Sequence, residues 1–148
     1  MADNGSRGST LGGRVRARKG DTVELIVDVT PAQGANHAGN LPKLARVDVI
    51  RGLVTGAAAD LDTFTAPESA VVKMFDVSGK PDRFRLKLRF RNVDSSFYLR
   101  LRGTDGNRLG AGYHAAQDPS GPMMDVIGSA DPWTDLWFYS NPVFVDVR

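Results

Sequence analysis

The chain has 148 residues, 41% hydrophobic and 24% charged, a balance that suits one globular domain with a real core and excludes a disordered polymer. Nineteen cations against 17 acids leave a formal charge of +2, too little to imply a polyanion, so no nucleic-acid partner is expected. Cysteine is absent, which removes disulfides, thiolate metal sites and thiol nucleophiles, and no apolar run approaches the roughly 18 residues of a membrane-spanning helix.

Residues 1–13 are rich in Gly, Ser and Asn and read as a flexible N-terminal linker, with a single domain over 14–148. Met1 to Gly8 contains no apolar h-region, so an exported location is expected only if a parent protein carries a signal peptide. Val15 to Lys19 reads as a short edge strand ended by Gly20-Asp21. Thr22 to Val29 reads as a strand with Val23, Leu25, Val27 and Val29 on one face and Glu24, Ile26 and Asp28 on the other. Pro31 to Pro42 is a glycine-containing loop. Leu44 to Ile50 is a strand with Ala45, Val47 and Val49 inward, and Gly52 and Gly56 bracket a turn after it. Ser69 to Val77 is a further strand whose two faces are both apolar enough to point inward.

Arg83 to Arg91 alternates apolar and basic residues strictly, and Phe97 to Arg102 repeats the pattern after Asn92-Val93-Asp94-Ser95. A period of two puts Phe84, Leu86, Leu88 and Phe90 on one face, and the pair reads as a hairpin with one buried side. Gly103 to Gly128 is a long irregular loop, longer than a compact domain usually carries without purpose. Asp131-Pro132 starts like a short helix, and Leu136 to Tyr139 and Val143 to Val147 look like strand, with Pro142 confining them to an edge or a bulge. Seven or so short strands with polar turns predict an all-β fold, an antiparallel β-sandwich of immunoglobulin-like spacing.

Four constellations carry candidate chemistry. Arg85, Lys87 and Arg89, with Arg100 and Arg102 opposite them in the expected hairpin, read as either a solvated face laced with ion pairs or a docking face for another domain. Like charges across a ladder destabilise, and Glu24, Asp28, Asp48 and Asp76 occupy strand positions that can supply partners. Asp60 with Asp62, and Asp105 with Asn107, set oxygen ligands at the spacing calcium loops use, although such residues are also ordinary turn formers; apart from calcium there, no cofactor is expected. Trp133, Tyr139 and Tyr98 are candidates to stack on sugars in a carbohydrate or cell-surface binding module, whereas Trp137 and Phe144 are expected to close the core. His37 and His114 with nearby carboxylates are what a small metal-dependent hydrolase would have to use, but neither a His-x-His nor a Gly-x-Ser-x-Gly motif is present.

Residues 4–13, Ala45 to Ile50 with Asp62-Thr63-Phe64-Thr65, Phe97 to Asn107, and Asp131 to Val145 with its ending Ser140-Asn141-Pro142-Val143-Phe144-Val145 together resemble actinobacterial proteins of the PHP (polymerase and histidinol phosphatase) superfamily of metal-dependent phosphoesterases. The likeness runs over nearly the whole chain but only to the region that follows the catalytic domain in those proteins. Their catalysis depends on a cluster of His, Asp and Glu ligands, which this chain with two histidines does not match, so no catalytic residue carries over. The resemblance implies a non-catalytic accessory domain whose partner is a catalytic domain of the same or a neighbouring polypeptide.

Overall fold

The computed structural model describes residues 8–37, 39, 41–58, 60–62, 68–104 and 137–148. Among them the fold is all-β, with no helix. Eight strands run β1 Arg14–Ala17, β2 Val23–Val29, β3 Arg46–Leu53, β4 Ser69–Asp76, β5 Phe84–Phe90, β6 Phe97–Thr104, β7 Trp137–Tyr139 and β8 Val143–Val147. They form a six-stranded sheet in the order β1-β8-β6-β3-β4, with β7 also on β6, and a two-stranded sheet of β2 and β5. The larger sheet is mixed: every pairing in it is antiparallel except β1 with β8, which is parallel. A wholly antiparallel arrangement was the expectation. It fails at β1 because the first and last strands run side by side in one direction, a relation that no local turn encodes.

Alternation does the work of placing side chains. Val47, Val49, Phe97, Leu99, Leu101 and Val145 from the larger sheet join Leu86 from the smaller one in a single hydrophobic cluster. Val23, Leu25, Val27, Val29, Phe84, Leu88 and Phe90 pack against it from β2 and β5. Burying these faces supplies the main driving force, at roughly 25 cal/mol per Å² of apolar surface removed from water.

The expected hairpin of β5 and β6 does not form. β5 pairs with β2, and β6 lies between β3 and β8 in the other sheet. Their apolar faces meet instead of their edges, with the Phe90 and Phe97 rings 5.5 Å apart. The link between them turns at Asn92, whose φ of 53° is a left-handed conformation that Asn tolerates. Val93 is then buried and held at both ends, its carbonyl accepting from the Gly20 amide at 2.8 Å and its own amide donating to the Asp21 carbonyl at 3.0 Å. A hairpin would have set the two rows of cations against each other; placing the strands in separate sheets gives each row its own acids.

Three further points differ from or add to the sequence reading. Gly52 is not in a turn but inside β3, opposite Tyr98, whose ring lies so close that a Cβ would come within 2.3 Å of it. In β4 a register shift between Val49 and Ile50 of its partner decides the ambiguous face: Phe75 packs against the shared core, whereas Val71 is buried opposite Ile50 and outside that cluster. Residues 8–13 are partly tied down, since the Gly12 amide donates to Pro142 and the Phe144 amide to Gly13, both at 3.0 Å.

Candidate interaction surfaces

Val47 and Val49 belong to the core, so Asp48 between them projects from the opposite face of the larger sheet, and Arg102, after Leu101, does the same. That outward face is organised in rows running across the strands. One row is Met74, Asp48, Arg102 and Tyr139, on β4, β3, β6 and β7. The next is Asp76, Arg46, Thr104 and Trp137 on the same four strands. A third crosses five strands as Ser69, Gly52, Tyr98, Phe144 and Arg14.

At the centre of the first two rows is a buried charge cluster. Arg102 Nε donates to Asp48 Oδ2 at 3.0 Å, and Arg46 Nε lies 2.9 Å from Asp48 Oδ1. Asp48 and Arg102 are each 1% exposed. Burial works against the charge on Arg102, but hydrogen bonds to Asp48 and to Tyr139 outweigh it and hold the guanidinium pKa above its usual value. The Trp137 ring lies beside both guanidiniums, 5.8 Å from that of Arg46 and 5.4 Å from that of Arg102, within cation–π range. Two arginines on one carboxylate, faced by an indole, make a desolvated and slightly cationic centre. At its ends the first row is open, with Met74 40% and Tyr139 56% exposed.

In the third row Gly52 makes room for Tyr98, whose hydroxyl is 3.1 Å from Ser69 Oγ on the far side. The Tyr98 and Phe144 rings are 6.3 Å apart, and Arg14 covers Phe144 at 4.8 Å while pairing with Asp146 at 2.9 Å. Phe144 therefore faces away from the shared core it was expected to close, because Val145 and Val147, which alternate with it along the strand pleat, belong to or pack on that core. Trp137 likewise serves the arginine cluster and stands outside the hydrophobic cluster.

The expected docking face is divided between two sides of the molecule. Arg85, Lys87 and Arg89 are exposed on the outward face of β5, while Arg100 and Arg102 are on the outward face of the larger sheet. Arg100 is exposed and donates from Nε to the Ser140 carbonyl at 3.1 Å. Of the acids proposed as partners, Asp28 takes a two-pronged bond from Arg85, 2.7 and 3.0 Å, and Glu24 one from Arg89 at 2.8 Å. Those bonds from Arg85 and Arg89 pull the Asp28 and Glu24 carboxyl pKa values below the usual range. Asp76 is instead bonded by the Ser78 hydroxyl and amide, which lower its pKa in the same way.

Of the candidate sugar platform, Tyr98 is half-buried with its hydroxyl engaged, and Tyr139 is exposed two rows away, about 13 Å at strand spacing. Trp133 lies outside the described residues. Of the candidate calcium ligands, Asp60 accepts the Asp62 amide at 2.9 Å, a turn in which the side chain serves its own backbone. Asp105 and Asn107 lie outside the described residues, as do His114 and nearly all of the long loop. His37 is exposed in the loop after β2. Among the described residues no three His, Asp or Glu side chains come together as a metal would need.

Periodicity did not predict the buried Arg46–Asp48–Arg102 cluster, although acid and base at facing positions of neighbouring strands were its available signal. It also did not predict the cleft of about 490 Å³ at one end of the molecule, which Val27, Val29, Leu44, Val47, Leu101 and Phe138 help to line. No protein-family model matches this chain, and neither does any curated protein or solved structure.

Proposed function

We propose that the chain is a non-catalytic accessory domain, a β-sandwich of immunoglobulin-like character that packs against and orients the catalytic domain of a PHP-type metal-dependent phosphoesterase. The sandwich reading draws support from two sheets whose apolar faces share one cluster. The parentage draws support from the sequence likeness alone. The docking role rests on one observation above the others: the outward face of the larger sheet has a dehydrated charge centre, Asp48 with Arg102, flanked by exposed Met74 and Tyr139. The charge centre is already covered within the chain, so the contact itself would be made by Met74 and Tyr139, exposed side chains of types enriched at contact surfaces.

The experiment is sedimentation velocity of the chain mixed with a PHP-type catalytic domain encoded beside it, alongside a phosphoesterase assay of the chain alone with manganese, zinc or iron. A one-to-one complex weakened by Tyr139→Glu or Met74→Glu is the expected result. Metal-dependent hydrolysis by the chain alone, lost in His37→Ala or His114→Ala, would replace this reading with that of a small hydrolase. Absence of any complex would remove the docking role.

A further inference from the structure

β5 is paired along one edge only. All seven of its residues are in register with β2, from Phe84 opposite Val29 to Phe90 opposite Val23. Among the described residues no strand lies along its other edge. In an antiparallel strand, alternate residues direct their amides and carbonyls to opposite edges, so every second residue of β5 directs its backbone groups to this edge, where no partner strand lies among the described residues. An open edge of this kind is a template for one more strand.

The side chains of β5 specify what that strand should be. Its inward residues, Phe84, Leu86, Leu88 and Phe90, belong to or pack on the core, and Phe84, Leu88 and Phe90 are only partly covered. An added strand would extend this apolar face with its own alternate side chains. Its outward residues are Arg85, Lys87 and Arg89, and the alternation continues through exposed Arg83 and Arg91. Against these five cations β2 offers two acids, Glu24 opposite Arg89 and Asp28 opposite Arg85, while Lys87 faces Ile26. The row keeps an excess of three positive charges: Lys87 shares Glu24 with Arg89, and Arg83 shares Asp28 with Arg85, so two acids serve five cations.

We infer that the free edge of β5 is a strand-addition site for an extended protein segment that alternates apolar and acidic residues, the apolar ones continuing the core and the acidic ones answering Lys87, Arg83 and Arg91. Charge complementarity selects this occupant over a second copy paired edge to edge through β5. In a twofold pairing centred on Lys87, that residue would face its own copy and Arg85 would face Arg89, so like charges would oppose one another along the whole ladder. The cations thus repel the wrong strand and attract the right one. Main-chain bonds would supply the affinity and the alternating side chains the selectivity. The inference stands on β2 and β5 alone and does not require the phosphoesterase parentage.

The test uses the full chain and a short synthetic peptide alternating valine and glutamate, long enough to span β5. Binding is followed by calorimetry, and the location of binding by amide hydrogen exchange. The expected result is saturable binding with new protection confined to β5, weakened by salt as screened charges require. A peptide with lysine for glutamate should bind at least about tenfold more weakly. N-methylation of one alternate set of peptide amides should abolish binding, and methylation of the other set should leave it intact. The double variant Lys87→Glu, Arg91→Glu should lose at least about tenfold in affinity for the acidic peptide, with an unchanged melting temperature showing that it folds. Equal binding of both peptides, indifference to N-methylation of either set, or full affinity in the double variant would overturn the inference. So would growing self-association reversed by Asp28→Lys, since the edge would then belong to β2 of another copy.

Discussion

Arg102 donates across the β6–β3 ladder to Asp48 while their side chains expose only 2% and 1% of their surface, on the face of the sheet turned away from the shared core. A buried ion pair of this kind contributes little net stability over an apolar pair of similar shape, but removing one member leaves a charge stranded. Asp48→Ala leaves both Arg46 and Arg102 without their carboxylate and should cost about 3–5 kcal/mol in urea unfolding. Asp48→Leu combined with Arg102→Met should cost clearly less than the two single changes added together. Strict additivity in that cycle would show that the residues are not coupled.

Gly52→Ala tests the row that runs from Ser69 to Arg14. The new Cβ would lie 2.3 Å from the Tyr98 ring, so the ring must move and its contact with Ser69 must open. Overpacking of this sort costs typically about 1–3 kcal/mol. Adding Tyr98→Ala to Gly52→Ala should abolish the further penalty of the alanine; an equal penalty with and without the ring would mean that backbone effects alone are responsible.

Leu86 and Leu88 share a face of β5 but not a depth. Leu86 is 7% exposed and a member of the core cluster, whereas Leu88 is half-buried and packs against it. Leu86→Ala should cost about 2–5 kcal/mol, and Leu88→Ala measurably less. Equal losses in thermal or urea unfolding would contradict the depth assigned to β5.

Stability should fall in acid through a defined set of carboxylates. Glu24, Asp28 and Asp76 have folded pKa values below their ordinary ones, so near pH 4 the unfolded chain binds more protons than the folded one. Their contribution is complete above the unfolded pKa values and is lost as the pH falls through the folded ones. Glu24→Gln with Asp28→Asn should flatten the dependence of the urea midpoint on pH between about 5 and 3 without changing the fold. An unchanged slope would place the acid sensitivity elsewhere. Because these groups are on the surface, added salt should shrink the effect.

Strand identity was legible in the sequence wherever apolar and polar residues alternated. Val23 to Val29, Phe84 to Phe90 and Phe97 to Leu101 show the predicted faces, and parity alone placed Glu24 and Asp28 on a polar face as possible partners for the cations. Pairing between distant strands was not legible. The same alternation suits a hairpin and two strands in facing sheets, and what separates them is the burial of Val93 and its bonds to Gly20 and Asp21, more than 70 positions away. Of the expected docking residues, Arg102 reads like its exposed neighbours because a basic residue in a basic row carries no local mark of burial. Its difference lies in Asp48, which is adjacent only once β3 and β6 are side by side.

The parallel pairing of β1 and β8 governs how the domain would bear force. Arg14 aligns with Phe144 and Ala17 with Val147, and backbone bonds extend the contact from Gly12–Pro142 to Lys19–Arg148. A pull applied before Arg14 and after Arg148 draws the two strands past each other along their length, so the bonds between them share the load and must fail together. The same chain pulled through an antiparallel terminal pair would open one bond at a time. The first and last strands thus act as the jaws of a clamp when load is applied at the two ends.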